Sequence, residues 1–222
     1  MTDSAIDPTG PSAAEPVFQG VYGPFTITAE DRREVLGYRL SLLLVALAQI
    51  ALLAQWRWLG DGWLWPWLLP MAAGLGLALR WIHIYLKPLH QALRAFWLLG
   101  CLGFLALGVQ AGPGAMAAAL QADGRWIWAV GPFFAALAGI GFKEFFCFQR
   151  PEAIGVTLLL PLALLGQLSG LLSPTASGSL LAVEAALLLV LCLRKFPMPA
   201  AADVGDKSVF AALQDRRQGA GA

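Results

Sequence analysis

The sequence predicts an all-α fold: a polytopic transmembrane helical bundle of six spans with both termini cytoplasmic. Three observations predict it. The 222 residues are 58% hydrophobic and 13% charged, whereas a soluble domain carries about 25% charged and roughly 45–50% apolar residues. One soluble core cannot hide that much apolar surface, so lipid is the solvent. The apolar residues also fall into six runs divided by turn-forming residues, and the cations sort by loop. The same composition excludes a disordered chain, a collagen and an ordinary soluble enzyme, and a net charge of +1 gives no case for nucleic acid. Cys101, Cys147 and Cys192 are odd in number and far apart, which excludes a disulfide framework.

Residues 1–27 read as a flexible N-terminal tail, because Pro8, Pro11, Pro16 and Pro24 stand among Gly, Ser and Ala with little to bury. No secretory signal is expected, since the first long apolar run begins only near Ser41. Thr28 followed by Glu30 and Asp31 is a helix start, although Asp31 stands where a capping box wants Glu or Gln. The transmembrane domain is expected over 28–195, with spans near 36–57, 63–84, 92–111, 126–147, 153–172 and 178–193. Breaks fall at Gly60-Asp61-Gly62, Lys87-Pro88, Gly112-Pro113-Gly114, Arg150-Pro151 and Ser173-Pro174. Residues 196–222 form a C-terminal tail in which Lys207 to Arg217 places Val209, Phe210 and Leu213 on one helical face. That segment can lie on a membrane surface; a frayed tail is the plainer alternative.

Six spans sort the fifteen Lys and Arg residues sharply. Arg57 and Arg125 fall on one side and the other thirteen on the opposite side. The positive-inside rule then makes the richer side cytoplasmic, in a bacterial inner membrane or a thylakoid. Trp56, Trp58, Trp63, Trp65, Trp67, Trp126 and Trp128 gather at the sparsely charged side. Indoles favour the headgroup layer, so a belt of interfacial anchors is expected. So dense a belt also suits a docking rim for a pigment, a quinone or a partner helix.

On the basic side, His83, His90, Glu144 and Cys147 are the chain's two histidines, one embedded acid and one thiol. Such donors suit zinc, iron or copper, and a single histidine suits the metal of a tetrapyrrole. No paired metal spacing supports this, and Arg80, Lys87, Arg94, Lys143 and Arg150 there suit anionic lipid headgroups. Lys143 can also pair with Glu144 or Glu152. Deeper in the bilayer, Glu184 and Gln167 are placed at similar distances from a turn near 175–176, with Gln49 in the same half. An ionised carboxylate there is costly, so Glu184 is expected neutral or hydrogen-bonded, with Gln167 as partner. The alternatives are interhelical glue and a proton or solute path. Gly74 with Ala78, Ala135 with Gly139, and Gly166 with Gly170 are small pairs that let helices approach. Walker, zincin, nucleophile-elbow and dinucleotide motifs are missing.

Three stretches carry a resemblance: Tyr22-Gly23-Pro24-Phe25-Thr26 running on to Leu36, then Trp81-Ile82-His83-Ile84-Tyr85, then Phe142-Lys143-Glu144-Phe145-Phe146-Cys147-Phe148. Over roughly residues 20–195 the chain resembles an uncharacterised integral membrane family of cyanobacteria and their relatives (domain of unknown function 2301). The resemblance implies a photosynthetic or related bacterial membrane and carries no site residue, cofactor or activity. The expected function is therefore non-enzymatic: a membrane protein that binds or assembles a partner complex or pigment. The alternatives are a small-solute or proton-coupled carrier using Glu184, and a metal protein or membrane enzyme using the His/Glu/Cys group.

Overall fold

The computed structural model describes residues 16–219, in two compact units. One is built from both ends of the chain, up to Arg33 and from Pro199 onward; the other is Glu34–Met198.

The first unit contains an antiparallel hairpin, β1 (Val17–Gly20) and β2 (Gly23–Thr26), within the stretch expected as a flexible tail. Phe18 and Phe25 stack across it with ring centroids 5.6 Å apart. Gly23 closes the turn at φ 140°, a backbone conformation that favours glycine. What holds the turn comes from 185 residues away: the Val21 N–H donates to Asp206 Oδ2 at 2.7 Å, and the Tyr22 N–H to Ser208 Oγ at 3.0 Å. Asp206 also caps the C-terminal helix, accepting from the Ser208 N–H at 2.9 Å. Hydrogen bonding from the Ser208 hydroxyl and the Val21 N–H holds its carboxyl below the usual carboxylate value. The C-terminal segment forms a helix over Lys207–Gly219. At the start of the first long helix, Thr28 N–H donates to Asp31 Oδ2 (2.7 Å) and Asp31 N–H to Thr28 Oγ1 (3.2 Å), so the capping box closes with Asp in the Glu position.

The second unit is an up-and-down helical bundle. In chain order the helices are α1 (Ala29–Trp58), α2 (Trp65–Trp81), α3 (Lys87–Ala111), α4 (Met116–Ala122), α5 (Trp126–Phe148), α6 (Pro151–Leu168) and α7 (Pro174–Lys195). Five of them, α1, α3, α5, α6 and α7, are long and apolar enough to cross a membrane. With 17 residues, α2 spans only about 26 Å at 1.5 Å per residue, short of a ~30 Å hydrocarbon core. The six long helices alternate in direction. Gly74 lies against Ser41 and Val45 between α1 and α2, and the Trp97 indole donates to the Ala72 carbonyl (2.9 Å) between α2 and α3. The Ser177 hydroxyl donates to the Ala163 carbonyl (3.1 Å) between α6 and α7.

One close helix approach is made by residues that none of the expected small pairs names. Side chains at Gly100 and Gly103 of α3 would collide with the backbone of α5 at Phe133 and Ala129. Their absence lets Phe104, Phe133 and Phe134 interlock edge-on, with centroids 5.5–6.1 Å apart. The core centres on residues such as Leu42, Leu75, Phe133, Ile140, Leu160 and Leu188.

Candidate functional site

The two ends of the bundle are built differently. The basic end, where α1 enters and α5 and α7 finish, holds a buried ion cluster. Glu144 is fully buried, and its Oε1 accepts from the Tyr38 hydroxyl (2.7 Å) and Lys143 Nζ (3.2 Å). Its Oε2 accepts from Lys195 Nζ at 2.6 Å. Both ammonium groups also lie 4.5–5.6 Å from the ring centroids of Tyr38 and Phe148. Beside this cluster, Arg194 forks onto the buried carboxylate of Glu152 at 2.9–3.0 Å, and Arg39 donates to the Met198 carbonyl (2.9 Å).

This arrangement employs the expected metal donors elsewhere. Both Glu144 oxygens are occupied. His90 Nε2 sits 2.6 Å from the Leu79 carbonyl, which can only accept, so that nitrogen carries the proton. His83 Nε2 is 3.5 Å from Glu34, and Cys147 is exposed. Among the described residues, no three of His83, His90, Glu144 and Cys147 come close enough to share one ion. Of the residues expected at lipid headgroups, Arg80, Lys87 and Arg94 are exposed and Arg150 is half-buried, its guanidinium near Met198 Sδ (3.0 Å). Lys143 is instead buried against Glu144. Sequence proximity pointed to that pair; Tyr38 and Lys195, 106 and 51 residues from Glu144, could not be read locally.

The opposite end, where the tryptophans gather, has a half-open cavity of about 160 Å³ among α1, α2, α3, α4, α5, α6 and α7. Leu52, Trp56, Trp65, Phe104 and Phe134 form much of its wall, and the short α4 contributes Met116 and Ala117. Gln121 and Gln167 are its only side-chain amides. One polar atom is left over. Gln55 stitches the α1–α2 turn, its Nε2 donating to the Gly62 carbonyl (2.8 Å) while its Oε1 accepts the Trp67 indole N–H (2.7 Å). The Trp65 indole N–H, two residues away, is buried and has no partner among the described residues. An unmet donor of this kind costs roughly 1–3 kcal/mol unless something accepts from it. Arg125, one of the two cations at this end, is held by Asp123 on the exposed turn before α5 (2.9–3.1 Å).

Glu184 and Gln49 lie deeper, three residues beyond the wall residues Leu181 and Leu52, about one helical turn from the cavity. Glu184 is fully buried and accepts from Gln49 Nε2. The expected partner, Gln167, is not used. The α6–α7 turn occupies 169–173 rather than 175–176, so Gln167 stands at the helix end and lines the cavity, whereas Glu184 is about 15 Å along α7 from Pro174.

A family model described as an uncharacterized integral membrane protein (DUF2301) matches residues 77–212. The chain belongs to that family. It is accordingly a multi-pass integral membrane protein embedded in a lipid bilayer. No curated protein and no solved structure matches it. The segment shared with the family contains Glu144, Gln167, Glu184 and Lys195, and the α4 side of the cavity; Tyr38, Gln49 and Trp65 lie before it.

Proposed function

We propose that the protein crosses the bilayer six times, with both termini on the basic side, and binds one small, neutral, largely apolar molecule in the cavity at its tryptophan-rich end. Support for the six crossings comes from the alternation of the six long helices together with the thirteen-to-two sorting of cations. The observation that carries the binding reading is a mainly apolar cavity, broken only by the Gln121 and Gln167 side chains, with Trp65 in its wall and the Trp65 N–H buried and without a partner among the described residues. A donor without an acceptor selects a ligand that brings an acceptor, and walls without an available charge favour a neutral one. The volume suits a single ring: an apolar cavity of about 150 Å³ accommodates benzene. A ring carbonyl or ether at the head of a quinone or pigment meets all three conditions. This is a binding role, not a catalytic one, and it gives the indole belt the docking purpose expected of it.

The test is native mass spectrometry of the protein in nanodiscs, titrated with a short-chain alkyl benzoquinone. Wild type is expected to bind one molecule. Trp65→Phe keeps an aromatic ring and removes the donor, and is expected to weaken binding about tenfold, the equivalent of one hydrogen bond of ~1.4 kcal/mol. Equal binding by both proteins, or none by wild type, contradicts the reading.

A further inference from the structure

The membrane interior of this chain is nearly free of titratable groups. Between Arg39 and Arg57 α1 has none, α2 has none before Arg80, and α5 has none before Lys143. In α3 the interior beyond Arg94 offers only the Cys101 thiol, and α6 beyond Glu152 offers nothing more acidic than Thr157. Besides Glu184, α7 brings the Cys192 thiol, eight residues further on, before Arg194 and Lys195 at the basic end. Glu184 is thus a single acid at its depth, with no base to neutralise it, and its partner is an uncharged amide on α1.

The hydrogen bonding of this pair is incomplete in one particular way. Gln49 Nε2 donates to Glu184 Oε2, while Gln49 Oε1 and Glu184 Oε1 are both buried and have no partner among the described residues. Two acceptors without a donor are what a carboxylate facing an amide leaves behind. One added proton changes the count: a hydroxyl at Glu184 Oε1 is a donor, Gln49 Oε1 is the acceptor that lacks one, and acid and amide then close a reciprocal pair of hydrogen bonds. The charged alternative leaves an unneutralised carboxylate inside the bilayer, which is costly even on the more lenient insertion scales.

We propose that Gln49 and Glu184 form a binding site for one exchangeable proton, held on Glu184 Oε1 and donated to Gln49 Oε1, one helical turn beneath the cavity. No bond other than O–H forms or breaks, and the proton comes from water. The amide reads the protonation state, since only the neutral acid satisfies it. Loss of the proton leaves two unpaired acceptors at the α1–α7 contact and loosens the wall above it, where Leu52 and Leu181 stand. The site therefore gives this integral membrane protein a proton-linked element that does not depend on whether the cavity is filled.

Infrared spectroscopy of the full-length protein in nanodiscs tests this without any cavity ligand. At neutral pH the wild type is expected to show the carbonyl stretch of a neutral, hydrogen-bonded carboxylic acid that shifts on transfer to D₂O. Glu184→Gln is expected to fold, because the new amide again offers a donor, and to lose that band completely. Gln49→Leu is expected to keep the band but move it toward the frequency of a carboxylic acid without a hydrogen bond. Three results overturn the proposal: a carboxylate signal in wild type that Glu184→Gln removes, an acid band that survives Glu184→Gln, or an acid band in wild type that is lost when Na⁺ is added. The last would assign the two oxygens to a metal cation. Failure of quinone binding leaves all of these spectra unaffected, so the two readings fall separately.

Discussion

Glu144 and Glu184 are both fully buried in the same bundle, yet they are treated in opposite ways. Glu144 receives a hydroxyl and two ammonium groups, and its neighbour Glu152 receives an arginine. Glu184 receives one amide and leaves an oxygen open. The basic end is a lock: α1, α5 and α7 are tied through one carboxylate. The tryptophan-rich end is left with a hollow, an indole donor without an acceptor, and a polar pair one proton short. On the binding role proposed above, the unmet polar groups at one end of the bundle mark where a ligand is received.

The contrast can be broken most forcefully at the lock. Glu144→Gln leaves two lysines buried against a neutral group and is expected to cost about 3–5 kcal/mol of unfolding free energy in detergent. Replacing the cluster together, with Glu144→Leu, Lys143→Met and Lys195→Met, is expected to recover part of that loss, because desolvating the ions offsets much of their attraction. Next in size is the α3–α5 contact: Gly103→Val forces a side chain into the Ala129 carbonyl and is expected to cost about 1–3 kcal/mol, read by the same unfolding assay. The other end should respond in binding rather than stability. Ala117→Leu adds volume from α4 into the hollow; it is expected to abolish quinone binding in native mass spectrometry while shifting stability by less than about 1 kcal/mol.

The architecture was legible because period and punctuation are local. Six apolar runs, Pro174 after Ser173, and Pro151 after Arg150 mark helices that the structure forms with ends shifted by a few residues. The hairpin was not legible, since Pro24 and three glycines up to Gly23 suggest a tail, and the groups that fix its turn, Asp206 and Ser208, lie at the other end of the sequence. Nor was α4, a helix of about two turns whose place is apparent only once the cavity beside it exists. In the site, Glu184 and Gln49 stood out as polar residues in apolar runs, but their pairing depends on where a turn falls, and a displacement of a few residues had offered Gln167 instead. Glu144 was visible as an acid beside Lys143; that a tyrosine from α1 and a lysine from α7 complete its shell is tertiary information alone. The cavity announced itself only as a surplus of indoles.

The division of labour between the two carboxyls is tested most directly by one paired experiment: equilibrium unfolding of Glu144→Gln and Glu184→Gln beside wild type, in the same lipid and buffer at neutral pH. The structure predicts a loss of about 3–5 kcal/mol for the first and a change within about 1 kcal/mol for the second, whose amide restores the missing donor. Equal losses for the two, or a larger loss for Glu184→Gln, would contradict the view that one end of the bundle holds the fold while the other keeps its polar groups for binding.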